Sequence, residues 1–318
     1  MLLALLAALP PVWFAGCGGY AGMVFRENML KPTPYMKVAN KPDPRTWPSD
    51  AVTVTWLGHA TVLINFYGVT ILTDPVLGKR IAPPELFGRN FGIRRITEVA
   101  VRPEELPPID LVLLSHAHYD HWDDASLRRF GSATRAVIPP GTRDLLPPGK
   151  FGEATELRWG ESVQVKGLTI TAIPVQHWGQ RGRDRTPRGY NGYLIERSGA
   201  RIFFAGDSSF ARRSFAEWRK NLGERDVDLC LLPIGDSYFR GNHMSPEEAW
   251  ELFQALGGRR LLPTHWRTFI ESPPDKEPTF SPIERLRAAA GAEASRIVGA
   301  EPGEVVTVKN GQEGEPGK

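Results

Sequence analysis

LLSHAHYDHWDD, residues 113–124, holds three of the chain's seven histidines within six positions, directly after an apolar run. LVLLS, residues 111–115, reads as a fully buried strand, and the cluster stands at its C-terminal end. Strand ends that emerge from a packed sheet are where layered α/β proteins build their sites. His116 and His118, two residues apart, can converge on one metal ion as the chain leaves the strand. Asp120 and His121 then turn toward a second position. Imidazole and carboxylate are ligands that zinc accepts. A lone histidine is more often structural, but four potential ligands in six residues favour a metal site.

The other histidines follow the same rule. His59, His177, His243 and His265 nearly all lie at or just after the end of an apolar segment. VTVTW (52–56), TVLINF (61–66) and VTILTD (69–74) read as strands separated by Gly58 and Gly68. Residues 78–108, rich in Pro and Gly, read as a long loop. DDASLRRF looks like a helix start with an acidic first turn. RAVIPP, LTITAIPVQH, GYLIER, ARIFFAGD, DLCLLPIG and RRLLPTH read as further strands, and EVVTVK as one that closes a sheet. SPEEAWELFQAL (245–256) is the clearest helix, with Ser245 as N-cap, Pro246 at the first position and Glu248 completing a capping box. SPIERLRAAAGA reads as a second helix. Two sheets covered by helices on the outside fit this order.

The chain has 318 residues, 41% hydrophobic and 24% charged, an ordinary globular balance with enough length for a large core. No repeat or Ser/Gly linker divides it, so one main domain over 51–310 is expected, with an extended lead-in at 26–50 and a flexible tail at 311–318. The 39 basic and 36 acidic residues leave a net charge of only +3, which gives no support to a nucleic-acid partner. The two cysteines, Cys17 and Cys230, support no disulfide framework, and Cys230 reads as a buried thiol.

Residues 1–25 contain no charged side chain until Arg26. The apolar run from Leu2 to Leu9 ends at Pro10-Pro11, well short of the roughly 20 residues of a membrane span. It fits the apolar core of a secretory signal. Phe14-Ala15-Gly16-Cys17-Gly18-Gly19 resembles a bacterial lipobox, in which the cysteine is acylated and becomes the first mature residue. That resemblance implies a lipoprotein of the bacterial cell envelope, anchored through Cys17. The other reading is an apolar segment packed on the domain of a cytoplasmic protein.

The spacing His-x-His-x-Asp-His resembles the signature of the metallo-β-lactamase superfamily. Asp74 in LTDP, His177 in VQHW, Asp207 in FFAGDSS and His265 in LPTHW match its other motifs in order. The fold this implies is α/β, an αββα sandwich with the metal site at one edge of the two sheets. A narrower resemblance is carried by WLGHATVLI, ILTDPV, LPPIDLVLLSHAHYDHWD, PVQHW followed by Arg181, RIFFAGDSS, LLPIGDSYF, HMSPEEAW and PTHWRTF. These strings look like the N-acylphosphatidylethanolamine-hydrolysing phospholipase D branch, from about Val52 to about Leu286.

Carried over position by position, the resemblance implies two zinc ions per chain. His116, His118 and His177 would hold one, and Asp120, His121 and His265 the other, with Asp207 between them. Two metals about 3.5–4 Å apart can share a water and bring its pKa toward neutrality. A metal-bridging hydroxide oriented by Asp120 would then attack phosphorus. Asp74 and His59 are expected to fix ligand rings, with plain structural hydrogen bonding equally open for His59. His243 matches a histidine near the substrate, where it would steady the phosphate or protonate the leaving oxygen; a place beside the Ser245 cap is its plainer reading. Tyr119, Trp122, Trp178, Phe239 and Trp266 either line an apolar mouth or belong to the core. Arg181, Arg183, Arg185 and Arg188 stand in a loop that is either solvated or in contact with an anionic head group. The expected partners are a phospholipid or other phosphodiester substrate and the bacterial membrane surface, with no indication of oligomeric state. Lactone, β-lactam or nucleic-acid hydrolysis on the same fold, and a non-catalytic metal-binding envelope protein, are the alternatives. Loss of ligands would mark the last of these, and every ligand position is filled.

Overall fold

The computed structural model describes residues 33–81, 92–182, 184–210, 215–223, 225–235, 243–270 and 279–308. The N-terminal segment with Cys17, the C-terminal tail, Phe239 and Arg183 lie outside them.

Two mixed sheets face each other. The first has seven strands in the order β15-β1-β2-β3-β6-β7-β8, the second six in the order β14-β13-β12-β11-β10-β9. The first contains β1 (Val52–Gly58), β2 (Thr61–Phe66), β3 (Val69–Thr73), β6 (Leu111–Leu113), β7 (Arg135–Ile138), β8 (Glu153–Glu156) and β15 (Val305–Val308). The second contains β9 (Ser162–Val165), β10 (Leu168–Ile173), β11 (Gly192–Arg197), β12 (Ala200–Phe204), β13 (Val227–Pro233) and β14 (Gly258–Thr264). A two-residue hairpin, β4 (Arg80–Ile81) with β5 (Ile93–Arg94), interrupts the long loop after β3.

Side chains alternate across a strand, and this sorts the core into layers. Val62, Ile64, Ile71, Leu111 and Leu113 point between the sheets, against Ile170, Ile195, Ile202 and Leu231 of the second sheet. Their neighbours Leu63, Leu72, Val112 and Ala136 point outward, into a separate cluster with Trp122, Leu127 and Phe130. That outer face is covered by the short helix α1 (Asp124–Leu127) and by loops. The second sheet is covered by α2 (Phe215–Leu222), α3 (Pro246–Ala255) and α4 (Ser281–Ala290), through Trp218, Phe253 and Leu286 among others.

The expected two-sheet sandwich is therefore the observed one. The Ser245 capping box is formed: the Ser245 hydroxyl accepts from the Glu248 amide, and Glu248 accepts from the Ser245 amide at 2.8 Å. EVVTVK closes the first sheet, as β15 beside β1. Strands β8 and β9 and helix α2 have no counterpart in the sequence reading. β8 and β9 are sheet edges with polar sequences, EATE and SVQV, and so lack the apolar signal of a buried strand.

The topology aims the strands at one edge. In the first sheet β1 and β3 run the same way, each antiparallel to β2, and β6 is parallel to β3. In the second sheet β10 and β12 share a direction, each antiparallel to β11, and β14 follows β12 through parallel β13. The C-terminal ends of these strands deliver His59, Asp74, His116–His121, His177, Asp207 and His265. Gly206, between β12 and Asp207, has φ +59°, and a Cβ there would stand 2.4 Å from the Ser115 Cβ. Glycine is therefore needed both for its backbone and for the approach of the two sheets. Gly206→Ala is expected to lower stability by about 2–4 kcal/mol, measured by denaturant unfolding of the chelated protein. A loss below about 0.5 kcal/mol would show that the Ser115 strand end yields instead.

Candidate metal centre

The turn after β6 turns its imidazoles inward. His116 Nε2 lies 2.8 Å from His118 Nδ1, which lies 3.3 Å from His177 Nε2. These three form one candidate metal group. A second consists of Asp120, His121 and His265, with His59 added. Asp120 Oδ2 stands 3.3 Å from His121 Nε2, 3.4 Å from His265 Nε2 and 2.9 Å from His59 Nε2. Between the groups lies Asp207. Its Oδ2 is 3.2 Å from both His121 Nε2 and His265 Nε2, 3.8 Å from His177 Nε2 and 4.0 Å from His116 Nε2. All seven expected ligands thus meet at one sheet edge.

The donor set fits divalent metal. Ligand atoms 2.0–2.2 Å from a tetrahedral zinc lie about 3.3–3.6 Å from one another, within the spread seen here. Both oxygens of buried Asp207, and Nε2 of buried His121, lack any hydrogen bond. Buried polar atoms are almost always paired, and a cation at the common point satisfies these.

Surrounding groups fix the ligands. Asp74 accepts from the Ser115 amide at 2.7 Å, the Ser115 hydroxyl at 2.5 Å and His121 Nδ1 at 2.6 Å. His121 must therefore present Nε2 to the site. Ser115 Oγ is also 2.9 Å from His116 Nδ1. Asp74 thus contacts the ring of one candidate ligand, His121. His59 instead reaches the Asp120 carboxylate, and its backbone carbonyl accepts from the Trp56 indole at 2.7 Å and the His265 amide at 3.0 Å. His59, Asp74 and His265 all have positive φ, at 54°, 30° and 57°. Such strain, of order 1–3 kcal/mol per residue, persists where the surroundings over-determine the backbone.

Electrostatics favour neutral imidazoles. Burial pushes His116 and His177 well below the ordinary histidine range, His118 down to about 4 and His59 to about 3. His121 is the exception. Burial opposes its charge, but Asp207, Asp120 and Asp74 outweigh it and hold the ring well above that range. Burial would raise Asp120 and Asp207, yet His121 and its neighbours keep both well below the usual carboxylate range. Two carboxylates held below their usual range among imidazoles mostly held below theirs favour a cation.

His243 is half-buried, with Nε2 3.4 Å from Asp207 Oδ2, and forms a candidate group with His177 and Asp207. It therefore faces the site instead of serving the Ser245 cap alone. The aromatics divide. Trp122 is fully buried in the outer-face cluster and bonds the Leu145 carbonyl, and Trp266 stacks on Trp56 at 5.6 Å, so both belong to the core. Trp178 is 41% exposed, 4.8 Å from the His118 ring, at the mouth. Of the loop arginines, Arg181 and Arg188 turn inward to protein partners, while Arg185 is exposed. Sequence reasoning missed Ser115 and Thr268, whose hydroxyl accepts from the His59 amide at 2.6 Å. Ser115 had a signal, a hydroxyl at the strand end next to the cluster; Thr268 had none.

This architecture and donor set define a metallo-β-lactamase-fold hydrolase. Residues 69–266 match the model of the β-lactamase superfamily domain, and the chain belongs to that superfamily. It is 33% identical over 232 residues to N-acyl-phosphatidylethanolamine-hydrolyzing phospholipase D 1 of Caenorhabditis elegans, covering 68% of this chain. It spans 64% of that relative's length. It is 29% identical over 257 residues to a metal-dependent hydrolase of Thermus thermophilus, covering 80% of this chain and 98% of the relative. Among solved structures, an isothiocyanate hydrolase from Delia radicum gut bacteria shares the fold, with a TM-score of 0.61 at 18% identity over 81% of this chain and 98% of that one. The chain is a metal-dependent hydrolase, and its relatives agree with the N-acylphosphatidylethanolamine-hydrolysing branch.

Asp74→Ala removes one bond to His121 and two to Ser115 and is expected to weaken metal binding about 10–100-fold. Competition with a chromophoric chelator measures this. Wild-type affinity in the variant would show that His121 holds its orientation without Asp74.

Proposed function

We propose that this chain is a dinuclear zinc phosphodiesterase acting on N-acylphosphatidylethanolamine-type phospholipids, a phospholipase D-type reaction. One observation carries the reading. A single Asp207 oxygen lies within 4.0 Å of ring nitrogens from both ligand groups, so one carboxylate can serve two ions. Similarity to the phospholipase D of Caenorhabditis elegans supports the substrate class.

Two bound zinc ions would supply a water of lowered pKa and offset the charge that builds on the phosphoryl oxygens. The protein's own groups do the rest. His116, His118 and His177 would hold one ion, Asp120, His121 and His265 the other, and Asp207 would serve both. His59 Nε2 fixes the Asp120 carboxylate, which in turn orients the attacking oxygen. Attack at phosphorus breaks the bond to the head-group oxygen. His243, with Nε2 3.4 Å from Asp207 Oδ2, steadies the phosphate or gives the leaving oxygen its proton. Trp178 offers an apolar edge to the lipid.

Protein purified without chelator is expected to contain close to two transition-metal ions per chain, mostly zinc, by elemental analysis. One ion or none after zinc reconstitution would overturn the dinuclear site. In a panel of phosphodiesters, lactones and β-lactams, the phosphodiesters should be the best substrates of the zinc-loaded protein; faster lactone or β-lactam turnover would refute the substrate class. Asp207→Ala should abolish hydrolysis and lower metal content, while His243→Ala should keep both metals and slow turnover by about 10²–10⁴-fold. Metal loss in His243→Ala as severe as in Asp207→Ala would make His243 a ligand.

We also propose that the enzyme is held at a bacterial membrane through acylated Cys17. No helix among the described residues is long and apolar enough to cross a membrane, and a lipid anchor would raise the effective concentration of lipid substrate. Mass spectrometry of the N-terminus of protein made in a bacterial host is expected to show a lipid-modified Cys17, absent in Cys17→Ser. An intact Met1 in the soluble fraction would refute the anchor.

A further inference from the structure

We infer that Arg181 is a positioning residue for the metal centre, a brace that holds the turn carrying four of the proposed ligands. The inference rests on the metal-binding reading of the site and not on its substrate. Arg181 stands four residues after His177, outside the turn it supports. Its Nη1 donates to the carbonyl of Ala117 at 2.8 Å and to that of Trp122 at 3.1 Å. The first carbonyl lies between His116 and His118; the second directly follows His121. The guanidinium lies 4.1 Å over the Tyr119 ring, and Nη2 is 3.7 Å from Asp124. One side chain thus touches the turn at its start, its middle and its end.

The brace has its own foundation. Arg188, a buried arginine in the same loop, is held by Asp144 at 2.7 and 3.0 Å and by the Gly141 carbonyl at 2.7 Å. It also bonds Asp184 at 2.5 and 3.2 Å, and Asp184 accepts from the amide and hydroxyl of Thr186. Gly179 presses against the backbone of Arg188 and Gly189, closely enough that a Cβ there would stand 2.4 Å from the Arg188 carbonyl oxygen. Arg181 is therefore projected from a loop pinned at both ends.

The turn needs such support because its internal backbone bonds are few. The amides of His121 and Trp122 both donate to the His118 carbonyl, at 3.1 and 2.8 Å. Metal sites tolerate only about 0.5 Å of misplacement in their ligands. Arginine suits the task, since a planar fork can stack on an aromatic ring while donating to separate acceptors, and lysine cannot.

The test measures zinc binding by Arg181→Gln and Arg181→Lys, with Arg285→Gln, which breaks an exposed pair with Glu247, as the control. Both Arg181 variants are expected to bind zinc about tenfold more weakly in competition with a chromophoric chelator. The rise in Tm between chelated and zinc-loaded protein should shrink in both, and the control should match wild type. If Tm falls equally in both forms and zinc affinity is unchanged, Arg181 is structural only and the inference fails. Wild-type zinc binding by Arg181→Lys would also overturn it, because charge alone would then suffice. Tyr119→Leu removes the stacking ring and keeps the carbonyl bonds; it should weaken zinc binding by a smaller factor, and serves if the Arg181 variants do not fold. Unchanged zinc binding in Tyr119→Leu would then overturn the stacked brace.

Discussion

A carboxylate with neither oxygen hydrogen-bonded, sunk among imidazoles at 2% exposure, is the constraint on which the site depends. Removing Asp207 from water costs several kcal/mol unless something positive replaces the lost hydration. The site supplies part of that through His121, whose pKa the surrounding carboxylates of Asp207, Asp120 and Asp74 raise against the effect of burial. Burial holds His59, His116, His118 and His177 below the ordinary histidine range. What the fold assembles is therefore an incomplete ion pair, and cations complete it.

Holding that arrangement open requires the two sheets to be locked together. His59, Asp74 and the His116–His121 turn come from the first sheet; His177, Asp207 and His265 come from the second. The carbonyl of His59 accepts from the amide of His265, and Trp56 stacks on Trp266 at 5.6 Å. Tyr193, on the second sheet, donates its hydroxyl to the Leu114 carbonyl on the first, and the Asn191 amide donates to the Ser115 carbonyl. Each link lies within a few residues of a ligand. Sliding one sheet against the other would therefore alter ligand spacing before it disturbed the apolar core.

The candidate ligands were legible in the sequence because they obey a local rule: they follow apolar strands and carry chemistry suited to a metal. The buried strands were legible for the same reason, through their uninterrupted β-branched and apolar residues. Edge strands β8 and β9 were not, since one open side lets polar residues occupy them. Groups that act across the fold left no local trace. His59 meets Asp120 over 61 positions of sequence, and Thr268 meets His59 over 209. Nor could adjacency to a ligand separate Trp122, which turns into the core, from Trp178, which turns to solvent, because that depends on how each turn leaves its sheet.

The pairing of β15 with β1 bears on how the chain comes to be folded. Val52 pairs with Val308, so the first strand of the sandwich waits for the last before its outer edge is covered. During synthesis every proposed ligand, from His116 to His265, leaves the ribosome while that edge is still open. An open edge with a neighbouring apolar face is a template for pairing with other chains. The outer edge of β1 is thus covered only after the segment that carries all the candidate ligands has been made.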